Sequence, residues 1–232
     1  MTESAPEVSS RTTNDWFRNK WIILGVVALA AIIATVVTLV LRSGSGLKPD
    51  QLNSMLLDAS EINTIMGTSD MQPGELQVEP ARPRGKLSNP DCLSALTAAQ
   101  FPTYASSGYT ASRWGWLKDA DIHHYVVQAV SSFPDAEKAN AFVKSVAAQW
   151  KSCEGTTVTV TGDAVDTWLI GTTTGEPPSI ALMQNRTDVK DWANQRAMRA
   201  VSNVVIDVSA AGYDISDQGA TIAGKIAANV GK

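Results

Sequence analysis

The stretch "IHHYVVQAVSSFPDAEKANAFVKSVAAQWKSC", residues 122–153, changes its apolar period in the middle, and that change decides the fold class. Up to Phe133 it is rich in aromatic and β-branched residues, the composition of a strand. From Pro134 onward Ala139, Phe142, Val143, Val146, Ala147 and Trp150 recur at i, i+3, i+4, i+7, i+8 and i+11, which draws one continuous helical face. Asp135 and Glu137 stand at the positive end of that predicted helix and Lys151 at its negative end, as the macrodipole favours. Immediately upstream, "GYTASRWGWLK" at 108–118 is a second strand, joined antiparallel to the first by a turn at Asp119–Asp121.

Further out, "DASEINTIMG" at 58–67 predicts a short helix with Asp58 and Glu61 as a capping box and Gly67 as the left-handed stop. Ile62, Ile65 and Met66 would face the core. "SNPDCLSALTAAQ" at 88–100 starts another helix, with Asn89 as cap, Pro90 at the first position and Cys92 in the first turn. Downstream, "TTVTVTG", "VDTWLIG" and "SIALMQ" are strands. "WANQRAMRAVSNVVIDVSAAGY" at 192–213 fits either a helix followed by a strand or a hairpin turning at Ser202 and Asn203. A last helix spans 216–230, capped by Ser216, with Ile222, Ala223, Ile226 and Val230 inward. Helices mixed with mainly antiparallel strands, without βαβ regularity, predict an α+β domain over residues 50–232.

The N-terminal fifth has a different character. Residues 1–20 are polar and Ser/Thr-rich, as in a disordered tail. "WIILGVVALAAIIATVVTLVL" at 21–41 holds no charge and, as a helix, would reach about 31 Å across a hydrocarbon core of about 30 Å. A cleavable signal core would be shorter and followed by small residues in an A-x-A pattern, so a retained single-pass helix is expected. Arg11, Arg18 and Lys20 precede the span while Arg42 and Lys48 follow it, a bias toward a cytoplasmic N-terminus with the C-terminal domain outside. "SGSG" at 43–46 makes residues 42–49 a flexible linker.

The chain carries a formal charge of −4, and its basic residues form no stripe, which excludes nucleic acid as a partner. His123 and His124, the only histidines, would point to opposite faces of a strand and cannot jointly hold a metal; no metal and no cofactor is expected. "GTTTGE" at 171–176 imitates a nucleophile elbow around Thr173, yet lies between two strands and reads as a hairpin turn. Asp119 and Asp121 read as a solvated turn. Tyr109, Trp114, Trp116, His124 and Tyr125 are the candidate ligand residues: Trp114 and Trp116 share a strand face and could line an apolar cleft. The two cysteines, Cys92 and Cys153, are either buried thiols or one disulfide.

Four ordered strings carry a resemblance: "DASEINTIMG", "SNPDCLSALTAAQFPTYASSGYTA", "VVQAVSSFPDAEKANAFVKSVAAQWKSCEGTTVTV" and "DVSAAGYDISDQGATIAGKIAANV". Together they resemble the PknH-like extracellular sensor domains, found on a mycobacterial receptor kinase and on stand-alone relatives. The resemblance implies an α+β domain with a deep cleft outside the membrane and a disulfide between Cys92 and Cys153. Relatives carry a second disulfide where this chain has Asn194 and Ala211. That pairing favours the hairpin, because a turn at Ser202 and Asn203 places these two positions opposite one another. Kinase activity is not implied: twenty residues before the span hold no catalytic domain, and the sequence has no Gly-rich loop, H-R-D and D-F-G set. The expectation is a non-enzymatic, membrane-anchored sensor of the cell envelope. Its expected partners are the membrane, an envelope lipid, glycan or small hydrophobic ligand, and a membrane protein. The alternative is an envelope scaffold that docks proteins and takes no small ligand.

Overall fold

The computed structural model describes residues 49–231. The expected tail, the expected membrane helix at 21–41 and nearly all of the linker lie outside the described residues.

The chain begins with α1 (Pro49–Asn53), α2 (Ala59–Met66) and two short strands, β1 (Gln72–Pro73) and β2 (Lys86–Leu87). A 3-10 turn (Pro90–Cys92) runs into α3 (Leu93–Leu96), followed by α4 (Phe101–Tyr104). Then come β3 (Ala111–Lys118), β4 (His124–Ser132), α5 (Ala136–Cys153), β5 (Thr157–Thr161), β6 (Val165–Glu176), β7 (Ser179–Arg186), β8 (Trp192–Val201), β9 (Val204–Tyr213) and α6 (Gln218–Asn229). All strands join one antiparallel sheet in the order β1-β3-β4-β9-β8-β7-β6-β5-β2. The fold is α+β, as the change of period predicts.

Local chemistry sets the helix ends. Asp58 and Glu61 form the reciprocal capping box, and Gly67 closes α2 at φ 71°. Asp135 accepts from the Lys138 N–H at the start of α5. The predicted stripe of α5 is its buried face, from Ala139 to Trp150. It packs on one side of the sheet against Ile170, Leu182, Met198 and Val205. On the other side α1, α2 and α6 cover a second cluster that includes Leu52, Ile62, Val126, Ile206 and Ile222.

The hairpin reading of 192–213 holds. Val201 pairs with Val204 across Ser202–Asn203, and the same register sets Asn194 opposite Ala211. Three expectations shift. "GTTTGE" is the end of β6, irregularly paired between Ile170 and Thr173, and the turn falls at Pro177–Pro178. The helix expected over 88–100 is confined to Pro90–Leu96, a 3-10 turn and one α-helical turn, because Thr97 returns to extended backbone. At α6 the cap position is Asp217, while Ser216 donates its N–H to the Gln218 side chain.

Cys92 and Cys153 are joined, with an S–S distance of 2.08 Å and Cα atoms 5.8 Å apart, which ties the 3-10 turn to the end of α5. The same segment is fastened to the sheet by a buried polar network. Arg196 is wholly buried and pairs with Asp207 at 2.7 Å. Its guanidinium also donates to the carbonyls of Ser94 and Val208 and lies 5.3 Å from the centre of the Trp150 ring. Asp207 accepts in addition from the Ala99 N–H at 2.9 Å and the Tyr104 hydroxyl at 3.1 Å. Burial, then the neighbouring Asp207 carboxylate, pushes the Tyr104 hydroxyl well above its ordinary pKa, so it remains a donor. Gln184 and Asn194 donate to the carbonyls of Ala95 and Leu96. Asn194, standing at one of the implied family cysteine positions, therefore still ties the sheet to this segment, by hydrogen bonds.

Candidate functional site: an aromatic ledge under a strap

Residues 74–85 connect opposite edges of the sheet, from β1 beside β3 to β2 beside β5. On the way Gln77 pairs with Trp114 and Ala81 with Gln100. From Gln77 to Lys86 the chain can span at most about 32 Å. Gln77 and Lys86 pair with β3 and β5 from outside, so a flat sheet would set them eight strand spacings, about 38 Å, apart. With a detour to Gln100 as well, the crossing needs a sheet that curls toward this strap. The crossed face is the one that carries α5, since Gln100 follows Ala99, which is bonded to Asp207.

Strand register decides which candidate residues meet on that face. Trp114 and Trp116 lie opposite Ala129 and Val127, so they share a side with Tyr125. Tyr125 is opposite Ala211, Ala211 is opposite Asn194, and Asn194 is opposite Gln184. Moving two residues along each strand reaches Tyr213 on β9, Trp192 on β8 and Arg186 on β7, with Trp168 opposite Arg186 on β6. Trp116, Tyr125, Tyr213, Trp192 and Trp168 thus form a row of aromatic side chains across one end of this face. Trp116 and Tyr125 are stacked at 6.3 Å, and Trp192 meets Tyr213 edge-on at 5.1 Å. Arg186 lies 5.4 Å from the Trp168 ring. The rings are half-buried, with Tyr213 the most open at 37 %.

The strap is fitted to the first two tryptophans. Trp114 Nε1 donates to the Glu79 carbonyl at 2.7 Å, and Gly74 donates its N–H to the Trp116 carbonyl at 2.8 Å. A Cβ at Gly74 would run into the Trp116 indole, so only glycine lets the backbone lie there. Beneath, Trp114, Trp116 and Tyr125 pack on the small side chains of Ala98, Ala99, Val127 and Ala129.

Two other candidates stand apart from the row. Tyr109 packs edge-on to Tyr104 at 5.9 Å, against the cluster under α5. His124 adjoins Tyr125 in the strand and so projects to the opposite face, where Nδ1 is 2.9 Å from Asp119 Oδ2. Asp119 departs from the solvated-turn reading, since only 5 % of it is exposed. Burial opposes its ionisation, but hydrogen bonds from the His124 ring and from the His123 and His124 backbone outweigh this and hold its pKa below the usual value. Among the described residues no group of three or more His, Cys, Asp or Glu could hold a metal ion.

Sequence reasoning finds Trp116 and Tyr125 and misses Trp192, Tyr213 and Trp168. A signal for the first two of these exists. The register that sets Asn194 opposite Ala211 also sets Trp192 opposite Tyr213. Trp168 needs the strand order, which no local pattern supplies.

Charged groups flank the row at both ends. At the β6–β7 end Arg186 is neutralised by Asp166 at 2.9 Å and by Asp188. At the β3–β4 end Lys118 Nζ lies 5.8 Å from the centre of the Trp116 ring. Burial raises the pKa of Tyr125, and Arg84 on the strap is near enough to oppose that rise. Arg84 also lines a groove of about 480 Å³ with Gly85, Val160, Gly162, Asp163 and Asp166.

A family model described as the PknH-like extracellular domain matches residues 47–229. The chain is 42 % identical over 187 residues to the serine/threonine-protein kinases PknH of Mycobacterium bovis and Mycobacterium tuberculosis. That match covers 79 % of this chain but only 31 % and 30 % of those kinases. The crystal structure of the extracellular domain of PknH from Mycobacterium tuberculosis superposes with a TM-score of 0.76 at 40 % identity, covering 80 % of this chain and 97 % of that one. The aromatic ledge, the strap and the fold around them are therefore those of a chain that belongs to the PknH-like extracellular domain family.

Proposed function

We propose that this chain is a membrane-anchored, extracytoplasmic binding module of the cell envelope, and that its ligand lies along the aromatic ledge. The observation that carries the reading is the row Trp116, Tyr125, Tyr213, Trp192 and Trp168. Half-buried rings on a curled sheet face, beside a few polar groups, are the composition of ligand sites. Rings spare enough apolar surface for an acyl chain and flat faces for a sugar. The extracytoplasmic location rests on the family and on the uncharged span at 21–41. The kinase activity of the named relatives stays with them, since the sequence lacks the kinase signature set. A signal would pass through a partner or through association of spanning helices.

The test is a titration of the full chain, held in zwitterionic nanodiscs, with a fractionated envelope lipid extract while tryptophan emission is followed. At least one fraction should shift the emission saturably. Trp192→Ala should abolish most of that shift and Trp192→Phe should retain binding. No saturable shift with any fraction, in a chain that unfolds cooperatively, would refute the reading; retention of envelope proteins alone would favour the scaffold.

A further inference from the structure

Arg186 stands in the aromatic row itself, between two tryptophans. It is opposite Trp168 on β6, and continuing the Asn185–Ala193 register by one residue sets it beside Trp192 on β8. Its guanidinium is held from two sides: Nε donates to Asp188 Oδ1 at 2.7 Å, and Nη2 meets Asp188 Oδ2 and, at 2.9 Å, Asp166 Oδ1. A fork fixed in this way keeps its orientation before any ligand arrives. Two atoms of the cluster are left over. Arg186 Nη1 and Asp166 Oδ2 have no hydrogen-bond partner among the described residues, and neither is sealed from solvent. One is a donor and the other an acceptor. Beside them is room, since Asp166 also lines the groove of about 480 Å³ with Gly85, Val160 and Gly162. Val160 is opposite Asp166, and both Val160 and Trp168 pack against the cluster under α5, so this groove is on the same face as the ledge.

We propose that Arg186 and Asp166 bind the vicinal diol of an uncharged pyranoside whose ring lies on Trp192 and Tyr213. The inference rests on the ledge being the ligand site, as proposed above. A hydroxyl both donates and accepts, so two on adjacent carbons can accept from Nη1 and donate to Oδ2 while the C–H face of the sugar covers the rings. An anion gains nothing here, because the guanidinium is already matched by two carboxylates. The sugar can be free or the headgroup of a glycolipid.

The probes are the hexyl and methyl glycosides of glucose, mannose and galactose, the hexyl glycosides with every hydroxyl methylated, and hexyltrimethylammonium. Each is titrated below any micellar concentration into the full chain in zwitterionic nanodiscs, with empty nanodiscs as the blank, and read by tryptophan emission. At least one hexyl glycoside should bind saturably, about tenfold or more tighter than its methylated form, with an affinity nearly independent of salt. Asp166→Ala should weaken that glycoside about tenfold, leave the methylated form within about twofold, and unfold at an unchanged urea midpoint. A methyl glycoside that binds as tightly as the hexyl one would support the diol site with a free sugar as source; a tighter hexyl glycoside would support it with a glycolipid. Equal affinity for the free and methylated glycosides, unmoved by Asp166→Ala, would overturn the diol site and leave the ledge intact. Tighter binding of hexyltrimethylammonium than of every glycoside would overturn it in favour of a cation. A saturable shift with an envelope lipid fraction but with no glycoside would overturn the diol site alone, and no shift with either would overturn it together with the reading it rests on.

Discussion

Replacing Arg196 with methionine should remove about 3–5 kcal/mol of stability, seen as a large fall in the urea midpoint of the full chain with an unchanged slope. Methionine fills much of the volume, so the loss is electrostatic rather than a cavity. Asp207 would be left nearly without solvent, and the carbonyls of Ser94 and Val208 would lose their donor. Arg196 with Asp207 is a poor way to gain stability and a costly pair to break, because both charges have already been desolvated. The double variant Arg196→Met with Asp207→Asn should therefore recover part of the loss. It leaves an acceptor for the Ala99 N–H and the Tyr104 hydroxyl without a buried charge. A double variant that loses the sum of the two single losses would show that the groups are uncoupled.

Removing the disulfide with Cys92→Ala and Cys153→Ala should cost about 4 kcal/mol in the chain-entropy account, for a sequence separation of 61. The bridge and the Arg196 network hold the same segment, residues 88–104, onto the sheet and α5. Each restrains it by a different means: the bridge limits the unfolded chain, while the network compensates buried polar groups in the folded one. Both sulfurs are in residues only 1 % exposed, so reductant should act on the native chain slowly and on the urea-unfolded chain at once. Non-reducing mass spectrometry with thiol labelling checks both points. Labelling of native chain as fast as of unfolded chain would contradict the buried position.

These two devices also show where sequence patterns carry information and where they do not. The capping box at Asp58 and Glu61, the stripe from Ala139 to Trp150 and the register around Ser202 are local, set within one element or one turn, and each is legible. Arg196 is not. It sits in a strand where alternation would send a charged residue outward, and only α5 and α3, brought over the same face, make the position an interior one. Asp119 is misread for a different reason: its turn folds back so that the carboxylate meets the His124 ring and the His123 N–H, a contact within one turn that the composition of a polar turn does not signal. The strap has no period to detect, since residues 74–85 pair at isolated points and depend on Trp114, Trp116 and Gln100 for their course. The ledge falls between these cases. Trp116 with Tyr125, and Trp192 with Tyr213, are readable hairpin by hairpin. Their union into one row follows only from β4 lying beside β9.

Native mass spectrometry of the full chain, released from its own envelope membranes without harsh detergent, reads directly whether the aromatic ledge holds a ligand. The wild-type chain should carry a discrete noncovalent mass. That mass should be largely lost from a chain carrying Tyr125→Ala and Trp192→Ala that still unfolds at an unchanged midpoint. A bare wild-type chain in every envelope preparation, or an adduct retained equally by the variant, would contradict it.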